Sequence, residues 1–462
     1  NSGRTGTGDF KPISRTRAGI SICYFCFIIE MTYFICALTE YFRNQKTPMG
    51  LPIFHKCRKR ETRGEFWCFW YALRYRLRLG YPNLEWYKDM EHFNNVLQEA
   101  PGEQFIRILE EDCPLLRGAL DIQIVRYPEK DDELEDLVFI SLKRTTLYTQ
   151  LLPQVLTDNE YGSCDVFKGK VVNVNVGDNN NTSPTQSRVH MVSEILKNVV
   201  KASNGSLVQT VERIDASDAE TTLDFCVSHK EISSASGGHL IFVGNVACSA
   251  AADTVISMDD CKRFFSDELA LMSEHRLDEE TGSAADSQES LTRASLMFAF
   301  INGNISKSIS LKLDENITPF CKGAVFVLYN YCRMAHIIHK YKTLEQNGSY
   351  PPLPDIELID FTTLTKQEEW SMMYEYVICW PYVFESTASD LRKGEFKVHK
   401  ILEFLKSLAS TFSAYYRRTR VLTEARPNLL PVLQARIYLI LALMKVYKTA
   451  LDVLGLRPLQ NM

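Results

Sequence analysis

Apolar residues recur with two different periods along this chain, and the change of period marks its organisation. Val171–Val176 reads Val-Val-Asn-Val-Asn-Val, an alternation that predicts a strand. The Asn-rich stretch 178–182 follows as a loop. From Ser187 to Ala202 the residues Val189, Val192, Ile195, Leu196, Val199 and Val200 return at helical spacing. Strand-like runs come next at Leu207–Ile214, Leu223–Val227 and Leu240–Val246. Strand, helix and further strands in this order predict βαβ units and a mainly parallel sheet. Residues 252–290 are acidic and end Ser/Ala-rich, so a flexible connection is expected there.

Beyond residue 291 the period is helical. Val325–Tyr341 is one helix, followed by a loop at Gly348-Ser-Tyr-Pro-Pro-Leu-Pro-Asp355. Lys366–Cys379 is a second helix, expected to stop near Pro381. Glu395–Arg420 is a third, with Phe396, Ile401, Leu402, Leu405, Leu408, Phe412 and Tyr416 at helical spacing. Leu433–Leu454 is a fourth, closed by Gly455 as C-cap with Pro458 just beyond. Four helices on short or moderate loops predict a bundle. The expected class is thus α/β followed by all-α. The divisions are a separate N-terminal segment 1–60, an α+β region 61–165, a Rossmann-like region 166–290 and a helical domain 291–462.

Charge sharpens this division. The net charge of -5 over 462 residues argues against a protein that is basic throughout. From 391 to 462, however, thirteen Lys/Arg stand against Glu395, Glu403, Glu424 and Asp452, a local +9. A polyanion partner for the helical domain is the economical reading, and an ordinary basic helical surface is the alternative. A second basic stretch, 51–80, interleaves Lys56, Arg58, Lys59, Arg60, Arg63, Arg74, Arg76 and Arg78 with Phe66, Trp67, Phe69, Trp70, Tyr71 and Tyr75. That chemistry suits RNA, and equally the solvated face of an amphipathic helix.

The apolar run Ile20–Phe42, broken by Glu30, has the length of a signal peptide or anchor. It carries no convincing cleavage pattern, and Met31 within it suits a start site, so no membrane association is expected. Thirteen cysteines, an odd number scattered along a long chain, read as mostly reduced core thiols of an intracellular, cytoplasmic protein. Cys23 and Cys26 have CxxC spacing without a second pair, and Cys332, His336 and His339 share a helical segment without a second cluster. Both read as structural, and no metal is expected. Asn204-Gly-Ser206 is a glycosylation acceptor only in a secreted chain. No GxxxxGK[ST], GxGxxG, HExxH or GxSxG motif occurs, and no cofactor is expected.

From Arg293 onward the chain resembles class I arginyl-tRNA synthetases at the end of their catalytic core and then in their DALR anticodon-binding domain. The resemblance rests on Ser295-Leu-Met-Phe-Ala-Phe-Ile301 and on Phe326-Val-Leu-Tyr-Asn-Tyr-Cys-Arg333. It continues in Phe412-Ser-Ala-Tyr-Tyr416, Val421-Leu422, Arg436 and Thr449-Ala-Leu-Asp-Val-Leu-Gly-Leu456. The wording of Phe412-Ser-Ala-Tyr-Tyr-Arg417, Val421-Leu-Thr-Glu-Ala-Arg-Pro427 and Gly455-Leu-Arg-Pro-Leu459 is similar to the eukaryotic DALR anticodon-binding domain-containing protein 3 family. Val171–Val200 looks like that family's degenerate nucleotide-binding unit.

The departures from a synthetase carry the functional expectation. Where a HIGH motif would contact ATP phosphates, this chain reads Gln186-Ser-Arg-Val-His190, with one His and no glycine. Asn304-Ile-Ser-Lys-Ser308 looks like KMSKS but follows the end-of-core segment rather than preceding it. Without both motifs, adenylate formation lacks its preorganised charge stabilisation. The resemblance therefore implies a non-catalytic adaptor, binding arginine tRNAs by the anticodon arm and presenting them to a methyltransferase-like enzyme that makes 3-methylcytidine. The alternatives are a divergent arginine-tRNA ligase and a helical protein-interaction scaffold; DNA is not expected as a partner. Candidate tRNA contacts are Tyr329, Asn330, Arg333, Tyr415, Tyr416, Arg417, Arg418, Arg420 and Arg426, since unstacked loop bases are read by aromatic rings and arginines. Core packing is the competing role for the tyrosines, and a buried salt bridge for Arg436.

Overall fold

The computed structural model describes residues 143–458, apart from residues 160, 178–182, 209–221, 231–237, 250–255 and 274–283, together with four strands nearer the N-terminus. Those strands are β1 (Phe54–Lys56), β2 (Phe66–Phe69), β3 (Leu120–Val125) and β4 (Leu137–Leu142), paired antiparallel in the order β1-β2-β4-β3. The apolar run Ile20–Phe42, the pair Cys23 and Cys26, and most of the basic stretch 51–80 lie outside the described residues.

The α/β region is a four-stranded parallel sheet in the order β6-β5-β7-β8, built from β5 (Val171–Val176), β6 (Ser206–Leu207), β7 (Thr222–Ser228) and β8 (His239–Phe242). Ahead of it runs α1 (Arg144–Thr157), and between β5 and β6 runs α2 (Pro184–Ala202). α2 starts where two local signals coincide. The Ser183 hydroxyl accepts from the Gln186 amide at 3.1 Å, and Pro184 fills the first turn. All six apolar positions expected on its core face are buried. The expected strand Leu240–Val246 is instead two, β8 and β9 (Val246–Ser249), and β9 leaves the sheet to pair in parallel with β10 (Ile309–Lys312). Gly244 makes the break. A Cβ there would lie 2.3 Å from the Lys307 carbonyl carbon, and its amide donates to Ile305 O at 2.9 Å.

Residues 252–290 are not mainly a flexible connection, as expected from their acidity. α3 (Met258–Ser273) and α4 (Ala284–Phe300) occupy much of this stretch. Met258, Cys261, Phe265 and Leu269 recur at helical spacing and are buried, so the acidic residues decorate the outer face of a packed helix.

The helical region contains α5 (Thr318–Gln346), α6 (Gln367–Ser371), a π-helical turn (Met372–Ile378), α7 (Trp380–Ala388), α8 (His399–Arg418) and α9 (Leu430–Val453). The second expected helix does stop just ahead of Pro381, at Ile378, with its last seven residues π-helical. Pro381 then stands in the first turn of α7, where its missing N–H is harmless. Gly455 does close α9. Its φ is +69°, its amide donates to Asp452 O at 2.9 Å, and Leu456 N–H reaches back to Leu451 O at 2.9 Å. α9 is long and apolar enough to cross a membrane by length and composition, yet Leu433, Ile437, Ile440, Val446 and Leu451 are buried in the bundle. α1 also packs on this bundle. Tyr148 lies against Phe361 and Trp370, and Lys445 donates to the carbonyls of Leu156 and Asp158 at the end of α1. One continuous apolar core consequently runs from α1 through the sheet to α9, with a second, smaller one between β9, β10, α3 and α4.

Candidate functional site

A cleft of about 830 Å³ opens between the C-terminal half of α5 and the connection from α8 to α9. Its polar lining is one-sided: His336 and Lys340 from α5, Arg417 and Arg418 from the last turn of α8, and Arg420 from the connection, against Glu424. At its edge the Arg333 guanidinium lies between two rings, 4.5 Å from the centre of Tyr329 and 4.7 Å from that of Tyr416. It also donates to the Tyr329 hydroxyl at 2.9 Å. Helical spacing puts Lys322, Phe326, Tyr329, Arg333, His336 and Lys340 on one face of α5, a stripe of roughly 27 Å at 1.5 Å per residue. Phe326 and Tyr416 keep 39% and 38% of their surface exposed, unusual for large apolar groups and suited to receiving a planar partner.

The arginines differ in what holds them. Arg417 donates to Ser413 O at 3.4 Å and Arg420 to Leu422 O at 3.1 Å; neither has a carboxylate partner among the described residues. Arg418 meets Glu368 at 3.3 Å and Arg426 meets Glu424 at 2.6 Å, both pairs exposed and worth little against an incoming phosphate. Arg426 lies beyond the lining of the cleft.

Two expected contacts are in the interior. Asn330 is fully buried, its amide nitrogen donating to Phe326 O at 2.8 Å, because one residue of helix turns it about 100° from the exposed side of Tyr329. Tyr415 is 1% exposed and donates to Glu369 Oε1 at 3.0 Å. These two residues build the site's support rather than its surface. The same Glu369 oxygen accepts from Arg436 Nε at 2.8 Å, so the buried salt bridge considered for Arg436 is present. Burial and the Glu369 charge push the Tyr415 phenol well above its ordinary range, so it stays a donor. This network reaches the cleft. Arg436 also donates to the Arg420 carbonyl at 3.4 Å, and Lys366 Nζ to Thr419 Oγ1 at 2.7 Å, fixing the backbone that presents the arginines.

In the segment Gln186–His190 the arginine is turned inward. Arg188 is 1% exposed and donates to three backbone carbonyls: Phe300 at 2.8 Å, Gly244 at 2.7 Å and Lys307 at 2.8 Å. Burial lowers its pKa to about 10, which leaves it cationic at neutral pH. The Asn304–Ser308 stretch, through Lys307 O, is thus a backbone acceptor for this arginine. Ser187 and His190 face a separate cleft of about 860 Å³ between α2, α3 and α4, where His190 Nε2 has no partner among the described residues. Cys332 is buried while His336 and His339 are exposed, and no described residues cluster as metal ligands.

Comparison with known proteins bears on the helical region first. Residues 327–462 match the DALR anticodon binding domain. Among curated relatives, this chain is similar to DALR anticodon-binding domain-containing protein 3 of Mus musculus, 30% identical over 175 residues, and of Danio rerio, 28% identical over 181 residues. Each match covers 37% of this chain and 32% of the relative, so the chain spans about a third of the length of the curated relatives it matches. Among solved structures it is similar to the arginyl-tRNA synthetase of Thermus thermophilus, with a TM-score of 0.53, 12% identity, and coverage of 92% of this chain and 100% of the other. The fold is therefore that of an arginyl-tRNA synthetase, an α/β region followed by a DALR helical domain. The family resemblance read from Phe326–Arg333, Phe412–Arg417 and Gly455–Leu459 is borne out.

The sequence reading missed His336 and Lys340 as lining residues. Their spacing from Arg333, three and seven residues along one helix, was the available signal.

Proposed function

We propose that this protein is a non-catalytic tRNA-binding adaptor whose cleft takes the anticodon arm of arginine tRNAs. The observation that carries the reading is the Tyr329–Arg333–Tyr416 stack opening beside Arg417, Arg418 and Arg420. Rings offer base stacking worth about 1–3 kcal/mol per base, and Arg417 and Arg420, without a carboxylate partner among the described residues, offer phosphate contacts beside the exposed, weakly paired Arg418. The inward-turned Arg188 supports the absence of adenylate chemistry, since the cation nearest the HIGH position is committed to backbone carbonyls. On this reading the bound tRNA is presented, in the cytoplasm, to a methyltransferase that forms 3-methylcytidine in the anticodon loop. That part rests on the family resemblance.

The test is binding of the purified chain to arginine tRNAs and to a panel of other tRNAs across a salt series. Preference for arginine tRNAs is expected, with a log–log salt slope that falls by about 2–3 when Arg417, Arg418 and Arg420 are all replaced by alanine. Equal binding to all tRNAs, or an unchanged slope, overturns the reading. Incubation with ATP, arginine and labelled pyrophosphate is expected to give no exchange; exchange would return the chain to the ligase alternative.

A further inference from the structure

The connection from α5 to α6 carries a feature that the tRNA reading does not use. From Ser349 it reads Ser-Tyr-Pro-Pro-Leu-Pro-Asp355, and its three prolines have no backbone N–H to give to a helix or a ladder. A residue that precedes proline is pushed toward extended or polyproline II dihedrals, a bias shared by Tyr350, Pro351 and Leu353. The burial of the segment repeats every three residues, the period of a polyproline II helix. Tyr350 and Ile356 are buried and Leu353 packs partly on the core, while Pro352 and Asp355 are exposed and Pro351 and Pro354 lie between. Asp355 ends the strip at φ -57° and ψ 144°, close to the ideal values of about −75° and +145°.

The strip is held from beneath. The Tyr341 hydroxyl donates to Pro351 O at 3.1 Å and the Tyr438 hydroxyl to Pro354 O, two carbonyls one polyproline turn apart. The carbonyls of Pro352 and Leu353 accept no hydrogen bond among the described residues. A partner therefore meets a preformed ligand and little ordering entropy is lost on binding. Just past the strip, Leu358 is 76% exposed on the single turn Ile356–Leu358. No Lys or Arg occurs between Ser349 and Thr365, whereas Asp355, Glu357 and Asp360 do, and neither Asp355 nor Glu357 has an ion pair among the described residues. Ser349 and Tyr350, at the start of the strip, also line the basic cleft. An acidic, proline-bearing surface beside a basic one repels a polyanion and suits a protein groove with a cationic border.

We propose that Pro351–Leu358 is a docking strip for a proline-recognition domain of the WW type, with a groove lined by aromatic rings and bordered by basic residues. The exposed Pro352 ring enters between the aromatic side chains. Asp355 and Glu357 face the basic border, and Leu358 adds an apolar contact at the end of the groove. The recognised element is backbone held in place by Tyr341 and Tyr438, so the folded chain presents it without rearrangement.

The experiment titrates the full chain into fluorescently labelled, purified WW domains, one set with basic and one with acidic residues bordering the groove, and follows anisotropy. Saturable micromolar binding is expected from the basic-bordered set alone. Pro352→Ala and Asp355→Lys are each expected to weaken it at least about tenfold. Both side chains are exposed and Asp355 makes no side-chain cap, so the variants should melt with wild type. Absence of binding by every basic-bordered domain, equal binding by the two sets, or binding that neither variant weakens overturns the proposal. Should a variant fail to fold, displacement of the wild-type chain by a synthetic peptide of residues 349–360 is expected instead, and no displacement overturns it. Arginine tRNA binding by Pro352→Ala should equal that of wild type; a loss there would make Pro352 part of the RNA surface and refute the assignment.

Discussion

Replacing Arg436 by methionine isolates the buried charge beneath the cleft. Glu369 is completely buried and takes three hydrogen bonds, from Arg436 Nε at 2.8 Å, Tyr415 OH at 3.0 Å and the Lys366 amide at 3.0 Å. The Arg436 side chain is itself only 11% exposed. Arg436→Met roughly keeps the volume and removes the one cation that, among the described residues, ion-pairs with this fully buried carboxylate, so the cost is that of an uncompensated buried charge, about 3–5 kcal/mol. Glu369→Gln leaves the guanidinium with the Arg420 carbonyl at 3.4 Å and a little solvent; its cost is about 1.5–3 kcal/mol, that of a lost charge-assisted hydrogen bond. The double variant leaves neither charge stranded, and is expected to be more stable than the sum of the singles by about 1–3 kcal/mol. Urea unfolding followed by tryptophan fluorescence reads the effect directly, because Trp370 adjoins Glu369 in the chain and is 2% exposed. At roughly 2–4 °C per kcal/mol, Arg436→Met lowers the melting midpoint by roughly 6–20 °C. A loss below about 1 kcal/mol, or singles that simply add, would refute the argument that this carboxylate depends on Arg436. Because the arginine faces inward, the salt slope of RNA binding by the folded variant should match wild type.

Three further outcomes follow from the geometry. Tyr416→Ala and Tyr329→Ala should each weaken arginine tRNA binding by about 1–3 kcal/mol, while Tyr416→Phe stays near wild type; fluorescence anisotropy reads this, and equal losses for Phe and Ala would contradict stacking. Gly162→Ala should strongly destabilise the junction of α1 and α7, since φ is +89° and the new Cβ would sit 2.1 Å from Trp380 Nε1; a melting midpoint within a degree or two of wild type would show that the packed Trp380 yields freely. Asp390→Asn should flatten the acid limb of unfolding. Hydrogen bonds from Lys393 and Lys397 hold the Asp390 carboxyl down at about 2, so its stabilisation is complete above the ordinary 3.8 and is lost as pH falls toward 2. Parallel wild-type and variant curves through that window would sink the assignment.

The sequence made the helical region legible because its apolar residues keep one period for long runs. α8 and α9 were placed to within a few residues at each end, and the Gly455 cap was readable from one glycine before a proline. Local chemistry misled where it competed with that period. α3 hides an apolar stripe at Met258, Cys261, Phe265 and Leu269 under an acidic outer face, and composition was given more weight than spacing. The break at Gly244 depends on Lys307, more than sixty residues away, which no local pattern encodes. The site shows the same division. Family motifs pointed to α5 and α8 but not to which faces of those helices are exposed, so Asn330 and Tyr415 were grouped with the surface residues beside them. Tyr415 continues the core series Leu405, Leu408 and Phe412, and this spacing is the signal that would have placed it inside.

On the proposed reading, that division lets one short segment serve both packing and recognition. Between Phe412 and Val421 the chain alternates between partners in the core and partners outside it. Phe412, Tyr415, Thr419 and Val421 are buried, while Tyr416, Arg417, Arg418 and Arg420 are exposed. The inner set is tied to Glu369, Lys366 and Arg436, and these ties reach the Arg420 carbonyl itself. The arginines thus stand on a backbone already immobilised by a buried ion pair, so ordering the connection adds little to the entropy lost when a polyanion binds. A surface of this kind can change which cations it displays without disturbing the core, provided Glu369 and Arg436 stay together. Changes at Arg417, Arg418 and Arg420 should therefore alter affinity and salt dependence, whereas changes at Glu369 or Arg436 should alter stability.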